Sequence, residues 1–538
     1  MLLTRKANGS VAREGRLARA LSGVLAKTMD RRAFLRRSGV ALGASAVASQ
    51  LPFRIIGEAE AQEKKVAAKV EVKRTVCTYC SVGCAIDAHV QNGVWIRQEP
   101  VFDSPINLGA HCAKGAATRD QGITHDSHRL KYPMKLEGGK WKRISWDQAL
   151  DEVSKRLLKI REESGPDALM VVGSSKYSNE QAFLLRKWVS LWGTNNTDHQ
   201  ARICHSSTVA GVAQTWGYGA MTNSYNDELN SKSLFFLGSN AAEAHPVSML
   251  HTLHARENGC KVIVADPRYT RTAAKADIYV RHRSGSDVAL LMGILHHIFK
   301  NGWEDKEYIR TRVYGMEQVK EEVLKKWTPD KVTEVTGVSE AEVFQVAKTL
   351  AENRPGMIVW AMGQTQHNNA TTGVIRASCL LELALGNVGR RGGGANIYRG
   401  HDNVQGATDV GPNPDNLPGY YPVAVPGSWA HWARVWNVDL EWLKKRFASE
   451  AMMTKPGITV SRWIDAVLEK NENIDQDPNL RAMIYWGHSP NSQTRGSDML
   501  EAMKKLDLMV VVNPYPSATA AMCAMVRKDG VYLLPSTT

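Results

Sequence analysis

Four cysteines between Cys77 and Cys112 restrict what this chain can fold into more than any other feature. They stand as Cys77-Thr-Tyr-Cys80-Ser-Val-Gly-Cys84, then twenty-seven residues, then Cys112-Ala-Lys114-Gly115. Three thiols so close together suit one tight turn wrapped around a metal centre, with the fourth closing it from a distant loop. The spacing is that of a metal site rather than a disulfide framework. Four thiolates with no histidine ligand nearby suit either a structural zinc or a 4Fe-4S cluster, and this stretch alone leaves both open. Cys260, Cys379 and Cys523 sit in apolar or helical surroundings and read as buried structural thiols.

The quartet occupies a small part of a long chain. At 538 residues, about three or four domains are expected. A hydrophobic content of 43% with 23% charged residues is that of a globular protein with a large core. The net charge of +14 does not mark a nucleic-acid binder, because residues 1–61 hold eleven Lys/Arg against four Asp/Glu and so carry half of the excess. No concentrated basic and aromatic patch exists elsewhere in the sequence, and a mildly basic remainder suits anionic cofactors or substrates.

Residues 1–61 read as a targeting signal. Arg31-Arg32-Ala33-Phe34-Leu35 precedes a short, weakly apolar run from Ser38 to Ala48, and Ala59-Glu60-Ala61 offers a small-residue cleavage site. The run is too short to span a bilayer, which takes about 20 apolar residues. Paired arginines followed by Phe-Leu resemble a twin-arginine export signal, whose pathway carries proteins already folded around cofactors. The expectation is a periplasmic protein that meets a membrane only through partners.

Past a charged linker at 62–75, residues 85–90 and 94–96 alternate like short strands of a small sheet beside the cysteines. Ser145 is placed to cap a helix at 146–163, with Ala149, Val153, Leu157, Leu158 and Ile160 on its apolar face. Short continuous apolar runs then recur at 168–173, 233–238, 261–265, 357–361, 482–486 and 508–512. Such runs are what strands of a parallel sheet covered on both faces look like. Helical patterns separate them at 180–192, 246–258, 286–300, 339–352, 371–385 and 498–505. The alternation predicts one or two doubly wound α/β domains, with ligands beyond the carboxyl ends of the strands. Gly238-Ser-Asn240, Asp266-Pro-Arg268 and Gly363-Gln-Thr-Gln366 end three of the runs and together suggest a large nucleotide-type anion.

Ala201-Arg202-Ile203-Cys204-His205-Ser206-Ser207 is the second informative stretch. A thiolate near a helix N-terminus is stabilised by the dipole, and neutral histidine suits proton transfer near neutral pH. Three readings stand: a buried cysteine beside a surface histidine, a Cys–His nucleophile pair, and a metal-ligating cysteine with histidine as acid–base. Helix neighbours point about 100° apart, which disfavours a direct nucleophile pair.

Taken jointly, the quartet with Lys114, Arg-Ile-Cys204-His205, Asp266-Pro-Arg268 and Arg399-Gly-His-Asp-Asn-Val-Gln405-Gly resemble the catalytic subunit of a molybdopterin-dependent formate dehydrogenase, most closely the exported respiratory type. The resemblance runs from about residue 75 to the end of the chain. It implies an α/β fold: a small β-rich 4Fe-4S domain at 62–130, then two doubly wound αβα domains, one discontinuous at 131–200 and 400–538, the other at 201–399. It implies that Cys77, Cys80, Cys84 and Cys112 hold a 4Fe-4S cluster, that Lys114 helps electrons cross to a pterin, and that Cys204 binds molybdenum or tungsten. His205 would handle the proton and Arg399 the substrate carboxylate. Asn240, Glu243, Asp266, Arg268, Gly285, Asp287, Met362 and Gln366 would contact a bis(molybdopterin guanine dinucleotide).

The implied reaction is oxidation of formate to carbon dioxide, with the C–H hydrogen leaving as hydride or as a proton with two electrons. The electrons would pass to an iron–sulfur electron-transfer subunit and through it to a membrane cytochrome or quinone-reactive subunit. Periplasmic nitrate reductase uses the same scaffold, but His205 and Arg399 are not expected in that branch. An inactive scaffold subunit is the other alternative, and the intact quartet, Cys204, His205 and Arg399 speak against it. The resemblance further implies a C-terminal β-barrel domain beyond residue 538, either supplied by a separate chain or missing from a truncated product.

Overall fold

The apolar runs become strands because each is hydrophobic at consecutive positions and so can be buried on both faces at once. In the computed structural model, Leu169–Gly173, Ser233–Leu237 and Gly356–Trp360 are buried at every residue. The structure describes residues 69–123, 128–366, 371–476, 479–489 and 495–536. The expected export signal lies outside them. Residues 69 onward form one unit.

Three strands, β1 (Glu71–Val76), β2 (Ala85–Gln91) and β3 (Val94–Pro100), make an antiparallel sheet around the first three cysteines. The chain then enters a larger sheet with β4 (Met134–Glu137), β5 (Lys140–Arg143), β6 (Leu169–Gly173) and β7 (Thr197–His199). It leaves for a second sheet built from β8 (Ser233–Leu237), β9 (Lys261–Ala265), β10 (Ile278–Val280), β11 (Gly356–Trp360) and β12 (Gly394–Ile397). After a small ribbon, β13 (Asn416–Leu417) and β14 (Tyr421–Pro422), it returns to the first through β15 (Ala482–Trp486), β16 (Leu508–Asn513) and β17 (Val531–Pro535).

The second sheet has the order β10-β9-β8-β11-β12, all parallel. The first has the order β5-β4-β17-β16-β15-β6-β7, parallel except where the β4–β5 hairpin pairs antiparallel on β17. Strand alternation splits each core in two. Phe235, Leu237, Ile263, Ile358 and Trp360 pack with the helix Asp287–Lys300 through Leu290, Ile294 and Ile298. Leu234, Phe236, Val262, Val264 and Met357, on the opposite face, pack in one cluster with Cys77, Cys80, Cys84 and Ile86. The cysteine turn is therefore seated on the second sheet, and full burial of Phe235 or Phe236 is worth about 1.5–3 kcal/mol each.

Helices fall where the patterns place them, with local differences. Ser145 caps the helix Trp146–Ser164, its Oγ accepting from the Gln148 amide at 3.1 Å. Leu158, expected on the apolar face, is 57% exposed, because the buried stripe follows Ala149, Leu157 and Ile160. The pattern beginning at Pro246 resolves into a single short turn, Pro246–Ser248, and then the helix Met249–Glu257. Cys260, Cys379 and Cys523 are buried, as their surroundings implied. No helix among the described residues is long and apolar enough to cross a membrane.

Candidate functional site

The cysteine turn closes on itself through the Cys77 amide, which donates to the Cys84 oxygen at 2.9 Å. Gly83, at φ +70°, makes the reversal possible. Asn107 staples this turn to the approach to Cys112: its Oδ1 accepts from the Ala85 amide at 2.9 Å and its Nδ2 donates to Ala110 O at 3.1 Å. Cys77, Cys80, Cys84 and Cys112 then line one small pocket together with Tyr79, His111 and Val247. Among the described residues, no three Cys, His, Asp or Glu side chains are placed to hold a single metal ion. As a donor set, four thiols around one pocket suit a 4Fe-4S cluster or a zinc ion. Burial, with the three neighbouring thiols, pushes the Cys84 thiol up to about 12.

Two cations tie this turn to the rest of the site. Lys114 follows Cys112, and its Nζ donates to Ala244 O at 3.1 Å and Glu243 O at 3.4 Å. Lys176 donates to Thr78 O and lies 3.3 Å from Asp402 Oδ1.

Beyond the carboxyl end of β7, Gln200–Ile203 forms a short helical turn that ends at Cys204, and His205 stands at the N-cap position of the helix Ser206–Trp216 without a side-chain capping bond. Cys204 is buried, with Sγ 3.5 Å from Met362 Sδ. Burial raises its thiol, while Arg399 and the Gly400 amide lower it. His205 does not pair with Cys204. Its Nδ1 lies 3.2 Å from Thr208 Oγ1, and its Nε2 is buried without a partner. Burial, aided by Arg399 and His245, holds this imidazole well below its ordinary value, so it is neutral at working pH.

Arg399 follows β12 and is 2% exposed. Its Nη2 donates to Gly219 O at 2.7 Å, but Nε and Nη1 are buried with no acceptor. Burial depresses the guanidinium, and Tyr420 and Cys204 partly offset this. The loop after it is pinned to the other sheet, since Asn403 Nδ2 donates to Tyr177 O at 2.7 Å and Gln200 Nε2 lies 3.2 Å from His401 Nε2. A Cβ built on Gly400 would meet nothing within 4 Å, so open space lies beside the arginine.

The remaining expected contacts fall into two groups. Asn240, Glu243, Asp266 and Arg268 lie together beyond β8 and β9: Thr272 Oγ1 donates to Asn240 Oδ1 at 3.0 Å, the Arg268 amide donates to Asp266 Oδ1 at 2.9 Å, and Arg268 lies 3.9 Å from Glu243. Gln366 Nε2 donates to Ile203 O at 2.7 Å, beside Cys204, and Met362 meets Cys204 directly. Gly285, at φ +83°, is exposed. Asp287 is buried, with Oδ1 3.4 Å from His282 Nε2 and Oδ2 without a partner among the described residues. Sequence reasoning missed His245, whose Nε2 lies 2.6 Å from Arg399 O, and the buried His199 and His488. Nothing local marks these histidines; only the strand ends that carry them do.

Comparison with known proteins agrees with this geometry. The Molybdopterin oxidoreductase family matches residues 129–524, and the Molybdopterin oxidoreductase Fe4S4 domain matches residues 70–122. Similar proteins include the F420-dependent formate dehydrogenase 1 subunit alpha of Methanococcus maripaludis, 33% identical, aligned over 85% of this chain and 65% of the relative. Formate dehydrogenase H of Escherichia coli is 34% identical over 86% of this chain and 62% of its own length. The chain thus spans slightly less than two thirds of these relatives. The fold is also that of acetylene hydratase from Pelobacter acetylenicus, at a TM-score of 0.66 and 24% identity, covering 86% of this chain and 63% of that one. The cofactors that go with both family matches are a 4Fe-4S cluster and a molybdopterin carrying molybdenum or tungsten. The cysteine-lined pocket fits the first, and the thiol and unpaired donors at the strand ends fit the second. With a match that takes in the second sheet and all of the first but β17, and another that takes in the cysteine turn, the chain belongs to the molybdopterin oxidoreductase family.

Proposed function

We propose that this chain is the catalytic subunit of a formate dehydrogenase, oxidising formate to carbon dioxide and passing electrons out through the Cys77–Cys112 cluster. The observation that carries this reading is Arg399. A buried guanidinium with unused donors is costly; because Nε and Nη1 lie on opposite edges of the group, a small carboxylate would pair with one of them together with the second Nη2 hydrogen and remove part of that cost. Cys204 and the unpartnered Nε2 of His205 complete the pocket. Arg399 would hold the carboxylate, and His205, kept neutral by burial, would accept a proton at Nε2. Cys204 would bind the metal of a bis(molybdopterin guanine dinucleotide), with Asn240, Glu243, Asp266 and Arg268 toward one nucleotide arm. The bound metal supplies two-electron redox chemistry. Similarity to two formate dehydrogenase subunits supports the substrate.

Lys114 and the cysteine turn give the electrons a route toward an iron–sulfur subunit and, through it, a membrane cytochrome. The Arg31-Arg32 motif supports export to the periplasm. The test is formate-dependent dye reduction by the assembled enzyme. Arg399→Lys keeps charge but loses the paired donors, and kcat/KM for formate is expected to fall by about 100-fold with iron and molybdenum or tungsten content unchanged. Full formate turnover in Arg399→Ala, or nitrate turnover by the parent, overturns the assignment.

A further inference from the structure

A second polar thread joins the cysteine turn to the Arg399 segment, and a buried acid lies on it. Ser81, between Cys80 and Cys84, places its hydroxyl 2.9 Å from the Tyr225 phenol oxygen. The Tyr225 ring packs on Tyr398 with centroids 4.8 Å apart, and Tyr398 immediately precedes Arg399. The Tyr398 hydroxyl donates to Glu228 Oε1. Glu228 lies on the short turn Tyr225–Asn230 and is 0% exposed. Thr252 Oγ1 donates to its Oε2 at 2.8 Å and Asn396 Nδ2 to its Oε1 at 3.3 Å. Its side-chain partners among the described residues are thus two hydroxyls and an amide, with no cation bonded to it. Three neutral donors favour the ionised form while the dry surroundings oppose it.

We propose that Glu228 takes up a proton when the cluster held by Cys77, Cys80, Cys84 and Cys112 gains an electron, so that this buried corner keeps constant charge. The inference rests on reading the quartet as a 4Fe-4S site. The cluster gains one of the two electrons of formate oxidation, or one from an added reductant, and the Glu228 carboxylate forms one O–H bond with a proton released by a hydronium ion or buffer acid in the solvent. Delivery of the electron to a partner reverses both.

Burial holds Glu228 up to about 7, against the pull of Tyr398, Thr252 and Asn396. The other titratable groups facing it do not change charge in that range. Tyr225 on the same turn, Tyr398 after β12 and Cys260 before β9 are all raised by burial and stay neutral. On the helix that carries Thr252, His251 turns its Nε2 toward Ile106 O at 2.6 Å and is lowered by burial. Lys232 and Lys261 are exposed and act on Cys260. Negative charge added beyond Tyr225 repels the carboxylate through a low-dielectric interior and raises its proton affinity. Glu228 therefore makes the cluster potential fall as pH rises between its value with the cluster oxidised and the higher value with it reduced, and adds no slope outside that window.

The test is an electron-paramagnetic-resonance redox titration of the cluster in the assembled enzyme between pH 5.5 and 9. The expected result is a potential that falls with pH around neutrality, at no more than tenfold per pH unit, or about 59 mV for one electron. Glu228→Gln, which keeps size and hydrogen bonding, is expected to abolish the slope. Tyr398→Phe removes one donor to the carboxylate and is expected to move the slope to higher pH. A pH-independent potential in the parent, or an unchanged slope in Glu228→Gln, overturns the proposal. An enzyme whose quartet holds zinc and no iron overturns the reading beneath it.

Discussion

The imidazole Nε2 of His245 lies 2.6 Å from the main-chain oxygen of Arg399, so a histidine beyond β8 fixes the segment beyond β12. Since the carbonyl can only accept, Nε2 carries the proton and Nδ1 is bare, buried and unpartnered. Burial lowers this ring to about 4, which keeps that tautomer neutral. The residue before it, Ala244, accepts from Lys114. One short segment therefore touches both the cysteine domain and the arginine.

His245→Ala is expected to lower kcat/KM for formate by about 10-fold, because Arg399 loses the support that aims it. His245→Asn, which can still donate to the carbonyl, is expected to recover part of the loss. Steady-state kinetics on both variants, with metal content measured alongside, checks this; equal rates in all three forms contradict it.

Lys114→Gln removes a cation that acts on Cys80 and breaks the charge-assisted bonds to Glu243 O and Ala244 O. Removing nearby positive charge disfavours the reduced cluster. A fall of several tens of millivolts in its potential is expected, on the order of 1 kcal/mol. Reduction of the cluster by formate is expected to slow correspondingly in stopped-flow absorbance. A raised potential contradicts the electrostatic role.

The six apolar runs were legible as strands because each is continuous and doubly buried. Gly394–Ile397 was not, since Gly-Ala-Asn-Ile carries little side-chain signal and is made a strand by its neighbour β11. Thr197–His199 was missed because its residues are polar, and burial alone gives them strand character. At the site, the cysteine quartet was visible as a spacing and Cys204-His205 as a candidate reactive pair with three readings open; the family resemblance chose among these, and Arg399 acquired meaning only from it. Glu228 lay in Tyr-Asn-Asp-Glu-Leu-Asn, which reads as an exposed loop; its burial depends on Tyr398 and Thr252, both distant in sequence.

Gly193 ends the helix Asn179–Trp192 at φ +106°, and a Cβ there would lie 2.0 Å from Arg446 O. The obstacle is backbone of a neighbouring segment, which cannot swing aside as a side chain could. Gly193→Ala is expected to destabilise the protein by about 3 kcal/mol or more, from the left-handed conformation and the overlap together. A thermal melt within a degree or two of the parent contradicts the packing described.

Acid sensitivity should follow from the histidines gathered at the strand ends. Burial lowers His199 to about 3 and His245, His401 and His488 to about 4, whereas an unfolded chain titrates them near 6.5. Between those values the unfolded state binds more protons than the folded one, so stability is lost as pH falls below about 6.5. Each ring contributes a slope on the order of 1.4 kcal/mol per pH unit in that window. Glu228 works the other way: its folded value, raised to about 7, gives stability that is present below its unfolded value and fades as pH rises toward 7. Burial also raises Asp167, Asp198, Glu382 and Asp402 and lowers His111, His205, His251, His296 and His297, so nine imidazoles stand against five carboxyls and the net slope stays with the histidines. The melting temperature is expected to drop steadily from pH 7 to pH 5, and replacing His199 with Asn should flatten part of that drop. A melting temperature constant over this range would mean that these rings are not held neutral in the folded protein.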